Sequence, residues 1–286
     1  MHVFIAGGTG VLGRRLIPRL IARGHRVTAL TRTTERGHFA LAAGAVPALA
    51  DVYDVDALTC VMRRAAPDVV MHQLTALSDR DFAANARIRT VGTRNLVDAA
   101  LRAGVGRVIA QSIAWMYEPG DKPADESVPL DLAAPESRRR GVEAVATLET
   151  VVREIPEWVV LRYGLLYGRG TWYAPGGLMA ADAHEGLLVA RPDVSSFVHV
   201  DDAADAAIQA LAWPSGTVNI CDDEPAAGTE WVPAFCRAVG APPPRRMPEE
   251  ERPGWARGAD NGYVRGELHW TPGTPSWRDG FAALTV

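Results

Sequence analysis

Lysine is almost missing from this chain. Lys122 is the only one among 30 basic side chains, so nowhere does a lysine follow a tyrosine by four residues. Cysteine is scarce as well: Cys60, Cys221 and Cys236 are odd in number, far apart and without a Cys-x-x-Cys, which excludes a disulfide framework and reads as reduced thiols. The seven histidines form no close pair at metal-ligand spacing, so no metal site is expected. No uninterrupted apolar run reaches the roughly 18 residues a membrane helix needs, and no basic region precedes an apolar core at the start. The expectation is a cytoplasmic protein without a membrane partner. A net charge of -4 with dispersed arginines leaves no nucleic-acid footprint, and the densest basic run, Arg138 to Arg140, suits a solvated helix start.

What is present is ample material for a core. The 286 residues are 48% hydrophobic and 22% charged, ordinary for one globular domain or two intimately joined ones. The chain opens on a short β-rich run, His2 to Ala6, followed by Gly7, Gly8, Thr9, Gly10, Val11, Leu12 and Gly13 and then by Leu16, Leu20 and Ile21 at helical spacing. Strand, glycine turn and helix in that order suit a dinucleotide. Gly7 and Gly10 let a pyrophosphate approach bare backbone, Gly13 lets helix and strand pack closely, and the helix start offers unpaired N–H groups. Gly7, Thr9, Gly10, Val11, Leu12 and Gly13 are therefore candidate cofactor contacts.

A second strand, Arg26 to Thr31, ends at Arg32, with Arg36 following. An acidic residue at this point would hold the adenosine ribose hydroxyls, whereas arginine holds a 2′-phosphate. A charge-assisted hydrogen bond of roughly 1.5–3 kcal/mol corresponds to a preference of about ten- to hundredfold, so Arg32 and Arg36 point to NADP. A third run, Val46 to Ala50, ends in Asp51 and Val52, where the aspartate either meets the adenine amino group or caps the helix starting near Val55. The apolar run Asp68 to Leu74 reads as a doubly buried strand whose end, Leu74 and Thr75, passes under the cofactor. Helix Arg87 to Ala103 and strand Arg107 to Ser112 follow, then a loop at Asp121 to Pro135, helix Glu136 to Glu154 and strand Trp158 to Tyr163. The glycine-rich stretch Gly164 to Asp193 breaks the alternation, as functional insertions do.

Five landmarks in order resemble the extended short-chain dehydrogenase/reductase family, of the nucleotide-sugar epimerase/dehydratase type. They are the glycine loop, Val91 to Leu96, Leu161 to Gly164 with Tyr167 to Gly170, Phe197 to Asp202, and Trp270 to Pro272 with Pro275 to Gly280. The resemblance implies an α/β fold: a Rossmann doubly wound parallel sheet, residues 1–163 and 194–221, with a smaller, discontinuous C-terminal substrate-binding region, 164–193 and 222–286. It implies homodimers, as many relatives form, and it makes His199 and Asp201 architectural. Chemistry in this family uses a tyrosine as acid/base, a lysine four residues later that lowers its pKa, and a serine or threonine that polarises the substrate. Alignment on Glu149 puts Gly141 at the tyrosine and Val145 at the lysine, sets Ser112 one residue before the usual hydroxyl position, and puts Arg89 at the helix asparagine.

The usual roles are thus vacant or displaced. Candidate catalytic substitutes are Ser112, Tyr173, Tyr167 and Tyr117, with Tyr173 the freest to face substrate. Without the lysine such a tyrosine keeps a pKa near ~10 and donates a proton more readily than it takes one. Ser112 and Tyr163 are also expected beside the nicotinamide. Trp115, Trp172 and Trp255 are candidate walls of a substrate pocket, while Arg252 and Arg257 could instead meet a sugar-nucleotide diphosphate. The leading expectation is an NADP-dependent reductase of a small carbonyl or quinone-like molecule. The alternatives are a nucleotide-sugar epimerase or dehydratase, and a catalytically silent NADP-binding sensor.

Overall fold

The computed structural model describes residues 1–78 and 80–284. Strands β1 (His2–Ala6), β2 (Arg26–Thr31), β3 (Val46–Leu49), β4 (Val69–His72), β5 (Arg107–Ile113) and β6 (Glu157–Tyr163) join Gly216–Ile220 in one seven-stranded parallel sheet. Its order is Gly216–Ile220, β6, β5, β4, β1, β2, β3. The order reverses between β1 and β4, where open α/β sheets hold their ligands at the strands' carboxyl ends. Helices α1 (Gly13–Ala22), α2 (Thr34–Ala42), α3 (Val55–Ala65), α4 (Phe82–Arg87), α5 (Thr93–Arg102) and α6 (Glu136–Val152) connect and cover it.

Local sequence explains these elements. In α1, Leu16, Ile17 and Leu20 form the buried stripe, and Gly24, at a φ of 81°, ends the turn in the left-handed region that glycine tolerates best. Helix α3 is capped by Asp54, whose carboxylate accepts from the Ala57 N–H at 3.0 Å. Asp51, for which capping this helix was one of two roles considered, instead accepts from the Tyr53 N–H at 2.9 Å. The helix expected from Arg87 starts earlier, at Phe82, and contains a π-helical turn, Ile88–Gly92, before α5. The Thr93 N–H reaches back five residues to the Ile88 carbonyl, and the Thr93 hydroxyl donates to the same oxygen at 3.3 Å.

The chain forms two compact units: Met1–Ser112, Leu132–Leu161 and Ala207–Thr217 in the first, and Ile113–Asp131, Arg162–Ala206 and Val218–Val286 in the second. These limits differ from those expected at 163/164, 193/194 and 221/222. The segment 113–131 belongs with the second unit because its groups bond there: Ala114 N–H to the Tyr163 carbonyl at 3.0 Å, Ala124 N–H to Gly258 at 3.0 Å, and Asn219 Nδ2 to Ala124 at 3.0 Å. The first unit's core is mainly aliphatic, with Leu30, Leu58, Met62, Val70, Leu96, Val108 and Leu148 beside a single buried ring, Phe4. The second unit's core is aromatic. Phe197 meets Tyr167, Tyr173, Trp231 and Phe281 with ring centroids 5.3–6.3 Å apart and near-perpendicular planes.

Candidate active site

The first unit carries a cradle at the carboxyl ends of β1 and its neighbours. Gly7 has a φ of 98° and lies so close to the Gln73 carbonyl that a Cβ would overlap it, and a Cβ on Gly13 would strike the backbone of Gly7 and Gly8. The loop is tied by Gly10 N–H to the Gly7 carbonyl at 3.0 Å and by Arg14 Nε to the Thr9 carbonyl at 2.9 Å. Leu12 is buried, Val11 half-buried and Gly10 exposed, so the turn presents backbone to solvent. Two polar side chains flank β1 with no hydrogen-bond partner among the described residues: the Thr31 hydroxyl at the end of β2, and both amide atoms of Gln73 just past β4. Both are sealed from solvent in this arrangement, so the glycine cradle alone carries the fit to a dinucleotide.

Arg32 leaves the end of β2 exposed, and Arg36 lies in the first turn of α2, capped by the Thr33 hydroxyl. Cations at a helix start oppose the dipole unless an anion joins them. Val52 is buried and its carbonyl accepts from Asn95 Nδ2 at 3.0 Å, Leu74 is half-buried, and Thr75 is exposed.

A buried polar network stands at the ends of β4 and β5. Ser112 is 0% exposed and its hydroxyl donates to Glu149 Oε1 at 2.8 Å; Glu149, from α6, is 2% exposed. In this arrangement the one hydroxyl proton of Ser112 points to Glu149. His72 Nε2 lies 2.8 Å from the Thr93 hydroxyl. Burial, and then the nearby Arg89, push the His72 imidazole down to about 4. Arg89 sits in the π turn, 8% exposed; burial lowers its guanidinium to about 10 against the opposing attraction of Glu149. Val145 is fully buried among the apolar residues of α6, so no cation replaces the lysine there. Arg89 and Glu149 were not singled out from sequence as site residues. The available signal was a glutamate on the apolar face formed by Val145, Leu148 and Val152.

The tyrosines belong to the second unit's interior. Tyr173 is 7% exposed and meets Phe197, Trp231 and Phe235 edge-on, so it does not lie free in the glycine-rich stretch as expected. Tyr167 is packed among Phe197, His199 and Phe281, Tyr117 donates to the Asn219 side chain, and Tyr163 donates to the Ala203 carbonyl at 3.2 Å. Burial raises the phenols of Tyr163 and Tyr167, opposing any role as a base.

Two of the three predicted tryptophans do come together. Trp115 and Trp255 line a cavity of about 210 Å³ with Trp231, Val189, Val194 and Asp193. The indole N–H of Trp231 is sealed from solvent and has no partner among the described residues. Trp172 packs instead against the aromatic core. Arg252 donates to the carbonyls of Pro253, Gly254, Ala256 and Gly120, and Arg257 to those of Lys122 and Glu118. Backbone carbonyls thus occupy the two guanidiniums considered for a diphosphate. Among the described residues there is no cluster of metal ligands, and no helix is long and apolar enough to cross a membrane.

Glycine cradle and parallel sheet define a nicotinamide-dinucleotide fold, and comparison identifies the family. Residues 3–221 match the NAD dependent epimerase/dehydratase family, and the chain belongs to it. A 3-diazoavenalumate denitrifying reductase from a Streptomyces species is 43% identical, over 98% of this chain and 99% of that one. A UDP-glucose 4-epimerase from Mycolicibacterium smegmatis is 28% identical over 95% and 94%. The UDP-glucose 4-epimerase of Thermus thermophilus, solved as a complex with NAD, shares the fold at a TM-score of 0.75 and 24% identity, covering 99% of this chain and 97% of that one.

Proposed function

We propose that this chain is an NADP-dependent reductase of a small aromatic substrate carrying a diazo group. Buried, apolar Val145 carries the reductase reading, because no lysine ammonium stands beside a phenol to make it a base. Epimerisation through a ketone must take a proton from a hydroxyl and return it, so it needs that base. The chemistry a reduced nicotinamide supplies when bound is a hydride, and an aryl diazonium that gains one needs no proton: Ar–N2⁺ and H⁻ give Ar–H and N2. The diazo-reducing Streptomyces relative supports this class.

The glycine loop would hold the dinucleotide, and Arg32 and Arg36 would hold its 2′-phosphate. The second unit's cavity, walled by Trp115, Trp231 and Trp255, measures about 210 Å³. It is smaller than the roughly 300–1,000 Å³ of ordinary ligand pockets, which argues against a nucleotide sugar there. The free thiols Cys60, Cys221 and Cys236 suit a reducing compartment such as the cytoplasm.

The test is to titrate NADPH and NADH into wild type and Arg32→Ala, then to supply 4-hydroxybenzenediazonium and follow NADPH oxidation and nitrogen release. NADPH should bind about ten- to hundredfold more tightly than NADH, the substitution should erase the difference, and nitrogen should be released mole for mole with NADPH oxidised. Equal affinities in wild type would overturn the NADP assignment. Slow turnover of the diazonium beside efficient interconversion of UDP-sugars would overturn the reaction.

A further inference from the structure

Arg89 is the first unit's least explained side chain. It is 8% exposed, yet its guanidinium makes no hydrogen bond among the described residues. A guanidinium offers five donors in a rigid fork, and a cation taken this far from water is costly unless its donors are used. Its surroundings orient it. Ser112 and His72 continue one face of the sheet, since His72 pairs with Ala110, two residues before Ser112. Glu149 lies over that face from α6, held by Ser112, and attracts Arg89. Thr93, bonded to His72, follows Arg89 by four residues on the same helical stretch. His72 stays neutral at physiological pH, so Arg89 is the cation of the network.

We propose that Arg89 receives a ring oxygen of the substrate and stabilises the negative charge that reaches it, with Glu149 and Ser112 as positioning residues. The inference rests on the reductase reading and narrows its substrate. A bare aryl diazonium is a cation and is repelled by Arg89. With an oxygen ortho or para to the diazo carbon it becomes a neutral, quinone-like molecule. Addition of hydride and loss of dinitrogen then balance as O=C6H4=N2 plus H⁻ giving C6H5O⁻ plus N2. The carbon–hydrogen bond forms, the carbon–nitrogen bond breaks, and the added charge ends on the oxygen, where water later protonates it. A donor aimed at developing charge in a water-poor site is worth about 10²–10³ in turnover. The same arrangement serves a quinone, whose oxygen also becomes an oxyanion.

The test uses 4-nitrophenol, which cannot react by this route, as a probe of the protein with NADP⁺ bound. Its ionisation is read from the phenolate absorbance across pH. In wild type the bound phenol should ionise at lower pH than in free solution. Arg89→Lys should keep part of the shift, and Arg89→Gln with Glu149→Gln, which leaves no unpaired buried charge, should abolish it while NADPH affinity is retained. With 4-hydroxybenzenediazonium the double variant should lose about 10²–10³-fold in kcat. A shift that survives in the double variant, or a wild type that binds no phenolate, would overturn the proposal. An Arg89-dependent shift in an enzyme that reduces no diazo arene would retire the proposed reaction and leave the oxyanion site standing.

Discussion

The two units bury opposite things. The first hides charge and polarity under an aliphatic roof: Arg89, Glu149, His72 and Ser112 lie at the ends of β4 and β5 among valines, leucines and alanines. The second hides rings, with Tyr167, Tyr173, Phe197, Trp231, Phe235, Trp277 and Phe281 in one cluster. Aromatic edges interlock and stabilise a core, whereas charges taken out of water add little net stability. The tyrosines that sequence alone offered as catalysts pack or bond within the second unit, and the buried charges lie in the first.

That contrast can be broken in three ways. Phe197→Ala removes the ring at the centre of the second unit's cluster and should lower stability by about 3–5 kcal/mol, measured by urea unfolding; a loss nearer that of a surface substitution would remove the aromatic cluster as the source of stability. Next in size is the pH response, which has opposite signs in the two units. Burial lifts the Asp222 carboxyl of the second unit from 3.8 to about 8, so the folded state holds a proton that the unfolded chain has released. Stability should fall as pH rises between those values. His72 in the first unit is depressed from 6.5 to about 4, so the unfolded chain binds the proton first and stability should fall as pH drops through that window. The two windows overlap between about 4 and 6.5, where the opposite slopes offset each other, so melting temperature should stay level there and decline as pH rises from about 6.5 to about 8. Asp222→Asn should remove the alkaline decline and uncover a fall towards acid, whereas His72→Gln should extend the alkaline decline down towards pH 4; the opposite pattern would reverse the assignment. Smallest is Tyr173→Phe, which keeps the ring edges against Phe197, Trp231 and Phe235 and should change turnover by no more than about twofold while shifting stability by about 1 kcal/mol. A large fall in turnover would return Tyr173 to the site.

Much of the fold was legible because its signals are local. The glycine loop, the buried run at Val69 to Met71 and the apolar face of α6 each announce themselves within one turn or strand, and the sheet follows from their alternation. The pocket tryptophans were legible in part: Trp115 and Trp255 sit in loops rich in backbone turns, whereas Trp172 adjoins a tyrosine that belongs to the core. For Arg89 and Glu149 the resemblance gave only alignment positions, the helix asparagine and the anchor glutamate; that they meet, across about 60 positions, was not legible. Tyr173 failed because a glycine-rich stretch looks open although its aromatic residue packs inward.

The π turn at Ile88–Gly92 gives this chain an unusual point of heritable change. An α-helix advances about 100° per residue, and a π turn is a helix that has accepted one residue too many. Loss of a single codon there would restore ordinary winding, and everything before it, Arg89 included, would swing around the axis relative to Thr93 and α5. Deletion as well as substitution could thus add or withdraw the cation, and relatives with and without a basic oxyanion site could be one reading-frame-preserving event apart.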